Sequence, residues 1–123
     1  MVLGIGADII EIERVTEAAR ISRFMERCYT KTEAEYCRGK PQSLAGLFAA
    51  KEAVVKAIGV GFSGFWPGDI EIWHDAQGKP CVRLHGKAAE RLSVLCGKDA
   101  AIMVSISHNN TQAMAVAIVQ DGR

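Results

Sequence analysis

The stretch from Phe48 to Gly61, FAAKEAVVKAIGVG, constrains this chain more than any other. At about 100° per residue, Leu47, Phe48, Val54, Val55 and Ile58 fall on one arc of a helix, and Ala49, Ala53 and Ala57 cover much of the rest. A helix with that pattern is buried nearly all round. Its charges are oddly placed: Lys51 projects from the middle of the apolar arc, while Glu52 and Lys56 stand together at its edge, one turn apart. Two readings are open. In the first, Glu52 and Lys56 form an ordinary i,i+4 ion pair and Lys51 snorkels outward along its stem. In the second, the charges serve a site, which needs another acid from elsewhere in the chain because an unpaired buried charge is costly. Pro41 suits the first turn of this helix, and Gly59 and Gly61 suit its end.

A candidate for that acid lies near the start. Val2 to Ile12 alternates as a strand, with Leu3, Ile5, Ala7 and Ile9 on one face and Gly4, Gly6, Asp8 and Ile10 on the other. Asp8 is thus an acid in mid-strand, where aspartate is depleted and is rarely buried without a partner. Either a hydrogen bond to a neighbouring turn or a ligand role accounts for it. From Glu13 to Cys28 the period becomes helical, with Ile21, Phe24, Met25 and Cys28 on an apolar arc and Arg20, Arg23 and Arg27 beside it. Arg14 stands at the strand-to-helix junction. This basic stripe is either a solvated face or a docking surface for an acidic partner.

Thr30 or Thr32 could cap a short helix through Tyr36, Thr32 being followed three residues later by Glu35. Ser63 to Gly68 reads as a loop. Asp69 to His74 and Pro80 to Leu84 read as a hairpin, Lys87 to Leu95 as an amphipathic helix, and Ile102 to His108 with Gln112 to Gln120 as a second hairpin. This order predicts an α+β fold in which a mainly antiparallel sheet packs on the long central helix. In the last strand Ala113, Ala115 and Ala117 alternate with Met114, Val116 and Ile118, so one face can pack on the helix and leave the other for a neighbouring subunit.

A chain of 123 residues with 49% hydrophobic composition suits a single domain spanning residues 1–123. That size leaves little room for a deep cleft within one subunit. A net charge of +1 argues against nucleic acid as a partner. Gly4, Gly6 and Asp8 interrupt the apolar start, which fits neither a signal peptide nor a membrane span. Cys28, Cys37, Cys81 and Cys96 form no C-x-x-C pair and read as reduced thiols, which makes a cytoplasmic location the expectation.

Asp8 and Glu52 could together hold one Mg²⁺ if helix and strand pack against each other, with Lys56 placed for a phosphate on that ion. The segments GIGADIIEIER, FAAKEAVVKAIGVG, DIEIW followed by GKP, and SISHN resemble, in order and spacing, the bacterial holo-acyl-carrier-protein synthases. The resemblance covers essentially the whole chain. It implies Mg²⁺-dependent transfer of 4′-phosphopantetheine from coenzyme A to a serine of apo acyl carrier protein, releasing adenosine 3′,5′-bisphosphate. It further implies Asp8 and Glu52 as metal ligands, Lys56 toward phosphate, and Lys51 and His108 as coenzyme A contacts. Arg14 matches the motif arginine associated with the carrier protein, and Arg20 extends that surface. Trimers with sites between subunits are implied as well. The proton acceptor stays open between Glu52 and a water on the metal, with His108 possible by type. Two departures stand out, Val60 in place of a frequent threonine and Asn109 in place of a frequent acid. A non-catalytic module that binds a carrier or a nucleotide is the competing class, and it predicts affinity without turnover.

Overall fold

A computed structural model of the protein describes every residue except Val60, Ser63 and Arg123. The departure expected at Val60 and the first position of the Ser63 to Gly68 loop therefore lie outside the described residues. The elements run β1 (Val2–Glu11), α1 (Ile12–Ala18), α2 (Ser22–Cys28), α3 (Lys31–Cys37), α4 (Pro41–Ile58), a 3₁₀ turn (Pro67–Asp69), β2 (Ile70–His74), β3 (Pro80–Leu84), α5 (Gly86–Cys96), β4 (Ala101–His108) and β5 (Gln112–Gln120). The strands form an antiparallel sheet in the order β1-β5-β4 and a separate β2-β3 hairpin. The α+β architecture with its antiparallel sheet on a long helix is as the sequence predicts, although the two hairpins do not share one sheet.

Pro41 starts α4, and Gly59, at φ 92°, closes it by donating its backbone N–H to the Val55 carbonyl. A side chain would be strained in that left-handed conformation, which is why glycine ends the helix there. Along α4, Ala45, Ala49, Ala50, Ala53 and Ala57 are buried, and from β5 Ala113, Ala115 and Ala117 are buried too. Small side chains on both surfaces let the helix lie close on the sheet. The opposite sheet face is open. It carries Ile5, Ala7 and Ile9 of β1 in register with Ile118, Val116 and Met114 of β5, and Met103 of β4 faces Ile118 on the other side. Ile5 is 68% exposed and Ile9 62%, so among the described residues this is a contiguous apolar surface left uncovered in the single chain.

The helix expected from Glu13 to Cys28 is two helices. Ile21 N–H reaches back to the Ala18 carbonyl at 3.0 Å, a tightened turn, and Ile21 itself is extended, so the chain changes direction before Ser22. The turn lets both pieces bury their apolar sides: Ile12 and Val15 of α1 enter the core, while Phe24 of α2 meets Phe48 at 5.7 Å and Tyr29 at 6.1 Å. The basic stripe is divided accordingly. Arg20 sits in the turn, 3.9 Å from Glu17, and Arg27 lies over the Trp66 ring at 4.2 Å. The cap of α3 is Thr30, with Glu33 completing the capping box.

Candidate active site

Because side chains alternate along a strand, the Gly4, Gly6, Asp8 side of β1 faces α4. A Cβ placed on Gly6 would stand 2.1 Å from the Ala53 carbonyl oxygen and 2.7 Å from the Ala57 nitrogen, and one on Gly4 would stand 1.9 Å from the Ala57 oxygen. Strand and helix backbones therefore touch, and only glycine permits it. Asp8, two residues further along the same face, is thereby delivered beside the middle of α4. The Lys56 ammonium donates to the Ala7 carbonyl at 3.0 Å and to Asp8 Oδ1 at 3.3 Å. Lys56 thus pairs with Asp8, and no ion pair joins it to Glu52 among the described residues, contrary to the simpler of the two sequence readings.

Glu52 is half-buried beside this pair. Burial raises its carboxyl above the ordinary value, the Asp8 charge raises it further, and Lys56 pulls it back in part. Two carboxylates repelling each other next to a cation form a site that lacks positive charge. Among the described residues, no three His, Cys, Asp or Glu side chains converge as a metal cage. Two hard carboxylates side by side suit Mg²⁺, which typically takes one or two protein carboxylates and completes its shell with water and phosphate oxygens.

This repulsion has a measurable sign. Folding raises the Glu52 pKa, so its contribution to the stability of the metal-free chain is full below the ordinary glutamate value of 4.5 and is lost as pH rises through the folded-state value. Metal-free Glu52→Gln should accordingly melt above metal-free wild type at neutral pH, and the gap should close on acidification. Thermal melts in a chelator across that range check this; a variant that melts lower at neutral pH contradicts it.

Lys51 is elsewhere. It is 0% exposed and its Nζ donates to Glu33 Oε1 at 2.8 Å, to the Pro67 carbonyl at 3.2 Å and to the Ile70 carbonyl. All three hydrogens are used inside the protein, so Lys51 neither snorkels outward nor reaches a substrate, and the expected coenzyme A contact is corrected to an internal ion pair. Its ordinary pKa is lowered by burial and partly restored by Glu33. Sequence reasoning missed Glu33, although Thr30-x-x-Glu33 in capping-box spacing was the available signal.

His108, exposed at the end of β4, does not join the Asp8, Glu52 and Lys56 group. It lines a separate cavity of about 230 Å³ with Tyr36, His74, Gly78, Pro80 and Ile106. Tyr36 and His74 stack there with centroids 4.0 Å apart and planes 7° from parallel, a platform that no local pattern announced. Burial lowers the His74 pKa, which keeps that ring neutral near physiological pH. Arg14 and Arg20 are exposed on and just beyond α1.

The profile of the 4′-phosphopantetheinyl transferase superfamily matches residues 4–117. The chain belongs to this family. The holo-[acyl-carrier-protein] synthase of Clostridium tetani is 48% identical over 98% of this chain and 97% of its own length. That of Magnetococcus marinus is 41% identical over 98% of this chain and 94% of its own. Among solved structures, the Helicobacter pylori holo-[acyl-carrier-protein] synthase in complex with coenzyme A superposes with a TM-score of 0.82 at 32% identity, covering 94% of this chain and 99% of that one. The Neisseria meningitidis holo-[acyl-carrier-protein] synthase gives a TM-score of 0.86 at 31% identity, covering 98% of this chain and all of that one, at 100%. The protein is therefore a transferase of this family with its fold. Among the described residues, no helix is long and apolar enough to cross a membrane.

Proposed function

We propose that this chain, acting as one domain in the cytoplasm, transfers 4′-phosphopantetheine from coenzyme A to a serine of an apo acyl carrier protein, leaving adenosine 3′,5′-bisphosphate. The observation that carries the reading is the meeting of Asp8, Glu52 and Lys56 across the contact of β1 with α4. Asp8 and Glu52 would hold Mg²⁺, which when bound supplies charge neutralisation on the pyrophosphate oxygens. Lys56 uses two of its hydrogens on Ala7 and Asp8 and has one left for a phosphoryl oxygen, where negative charge grows as the serine attacks. Glu52 is the chain's own acceptor for the serine proton. The cavity beside His108, with its stacked aromatic wall, fits the nucleotide end of the donor. The direct test is the mass of a purified apo carrier protein after incubation with this protein, coenzyme A and Mg²⁺. Gain of one phosphopantetheine group is the expected result, whereas binding without any mass gain would leave a carrier-binding module.

The open apolar sheet face supports assembly into a homotrimer with sites between neighbouring subunits, since a symmetric ring covers that face three times over. Ile118 lies at the centre of the face, between Ile5 and Met103. Ile118→Glu should lower oligomer mass and activity together, by about tenfold or more in activity at assay concentrations. Light scattering alongside the assay decides this, and a fully active wild-type monomer refutes it.

Arg14 and Arg20 offer charge to an acidic carrier. Reversing either to Glu should raise KM for the carrier several-fold and leave KM for coenzyme A unchanged, with added salt mimicking the change. Unaltered carrier KM in both variants at low salt would leave these arginines as a solvated face.

A further inference from the structure

Lys51 immediately precedes Glu52, and its position in the fold gives it a task distinct from binding. Its ammonium joins four elements: α4 through its own backbone, α3 through Glu33, the 3₁₀ turn through Pro67, and β2 through Ile70. Glu33 is equally committed. It is 0% exposed, and its carboxylate accepts from Thr30 N–H and from Ile72 N–H, each at 2.8 Å, besides Lys51. The Thr30 hydroxyl accepts from the Glu33 amide and donates to Glu71 Oε2 at 2.9 Å. Among the described residues, no buried side-chain nitrogen or oxygen lacks a partner.

The apolar packing of α4 is mixed: Ala45, Ala49, Ala50, Ala53 and Ala57 are buried beside Leu44, Leu47, Val54, Val55 and Ile58, and contacts of that non-directional kind weaken gradually as a helix turns. A single charged group with three fixed acceptors behaves differently. At about 6 Å from the axis, a turn of about 20° moves the ammonium about 2 Å, which breaks its hydrogen bonds and strands two charges in a dry interior. Glu52 follows Lys51 by about 100° and Lys56 follows Glu52 by about 40° further. The azimuth at which Lys51 is held is therefore the azimuth that turns Glu52 and Lys56 toward Asp8.

We propose that the buried Glu33–Lys51 pair is a rotational lock for α4, and that both are positioning residues that set Glu52 and Lys56 against Asp8. This rests on the proposed metal role of Asp8 and Glu52. Fixing register and orientation is the best-attested use of a buried charged pair, which otherwise adds little stability over apolar packing.

The test uses Lys51→Met and the double variant Glu33→Gln/Lys51→Met. The double variant leaves no orphaned charge, so it stays folded if the single one does not. Mn²⁺ binding followed by electron paramagnetic resonance should be weakened about 10–100-fold in the folded double variant. At saturating metal, kcat should fall while KM for coenzyme A stays as in wild type. A crystal structure of the double variant should show α4 turned about its axis. Wild-type Mn²⁺ affinity with only a lower melting temperature would overturn the proposal, as would a rise in coenzyme A KM alone, which would make Lys51 a substrate contact. Wild type and Asp8→Ala run in parallel separate the two readings. If wild type binds no Mn²⁺, the metal role has failed, and the lock then stands or falls on whether α4 has turned in the crystal.

Discussion

Gly6→Ala is expected to melt roughly 10 °C below wild type and to lose about 100-fold in transfer activity. The added methyl would lie 2.1 Å from the Ala53 carbonyl, 2.7 Å from the Ala57 nitrogen and 2.9 Å from Lys56 Cβ. Two of these are helix backbone atoms that cannot swing aside, so β1 must move off α4. Overpacking of this kind costs about 1–3 kcal/mol and occasionally more, which in a chain of this size corresponds to roughly the stated fall in melting temperature. The larger consequence is chemical. Asp8 rides on the same strand face, and a displacement of about 1 Å in a reacting constellation can cost about 100-fold in rate. Circular dichroism melts and carrier-transfer rates on one preparation test both halves. Retention of wild-type rate would show that the glycine contact does not place Asp8.

Asp8→Ala and Glu52→Ala should each reduce transfer by about 100–1,000-fold or more, the scale seen when one charge-stabilising group is removed from an active site, while the fold remains. The fold is spared because neither side chain packs the core: Asp8 meets Lys56, and Glu52 is half-buried and repelled by Asp8. Removing one carboxylate even relieves that repulsion. Glu52→Gln keeps the shape and loses the charge, and it should fail nearly as badly, because a neutral amide is a poor Mg²⁺ ligand and cannot take a proton from serine. Rates measured in metal-limited buffer, with melting temperatures on the same samples, are the check. Near-normal activity in either alanine variant would sink the metal assignment.

What the sequence disclosed were features written locally. The alternation of β1, Pro41 and Gly59 at the ends of α4, the two hairpins and α5 are all short-range patterns, and each appears where its residues imply. Asp8 and Glu52 stood out because acids are unwelcome on buried faces. The features that stayed hidden depend on partners distant in the chain. Lys51 finds Glu33 eighteen residues upstream, and two overlapping Thr-x-x-Glu spacings, from Thr30 and from Thr32, left the buried acid indistinguishable from the surface one. The break before Ser22 carries no glycine or proline, and Ile21, Phe24 and Met25 continue the helical period across it. Nothing local says that Gly4 and Gly6 touch a helix some fifty positions away; only the packing does.

The alternation of β1 has a consequence for how freely this segment can vary. Its even positions lie against α4, and its odd positions carry the apolar face proposed to meet other subunits. With that face covered, no residue from Leu3 to Ile10 has a solvent side, so the strand has no parity at which polar drift is harmless. Helix α5 is the opposite case, with Ala88 buried and Val94 82% exposed. In a pool of single substitutions selected for activity, β1 should be intolerant at every position, at even ones through lost catalysis and at odd ones through lost assembly, while the outer side of α5 accumulates changes.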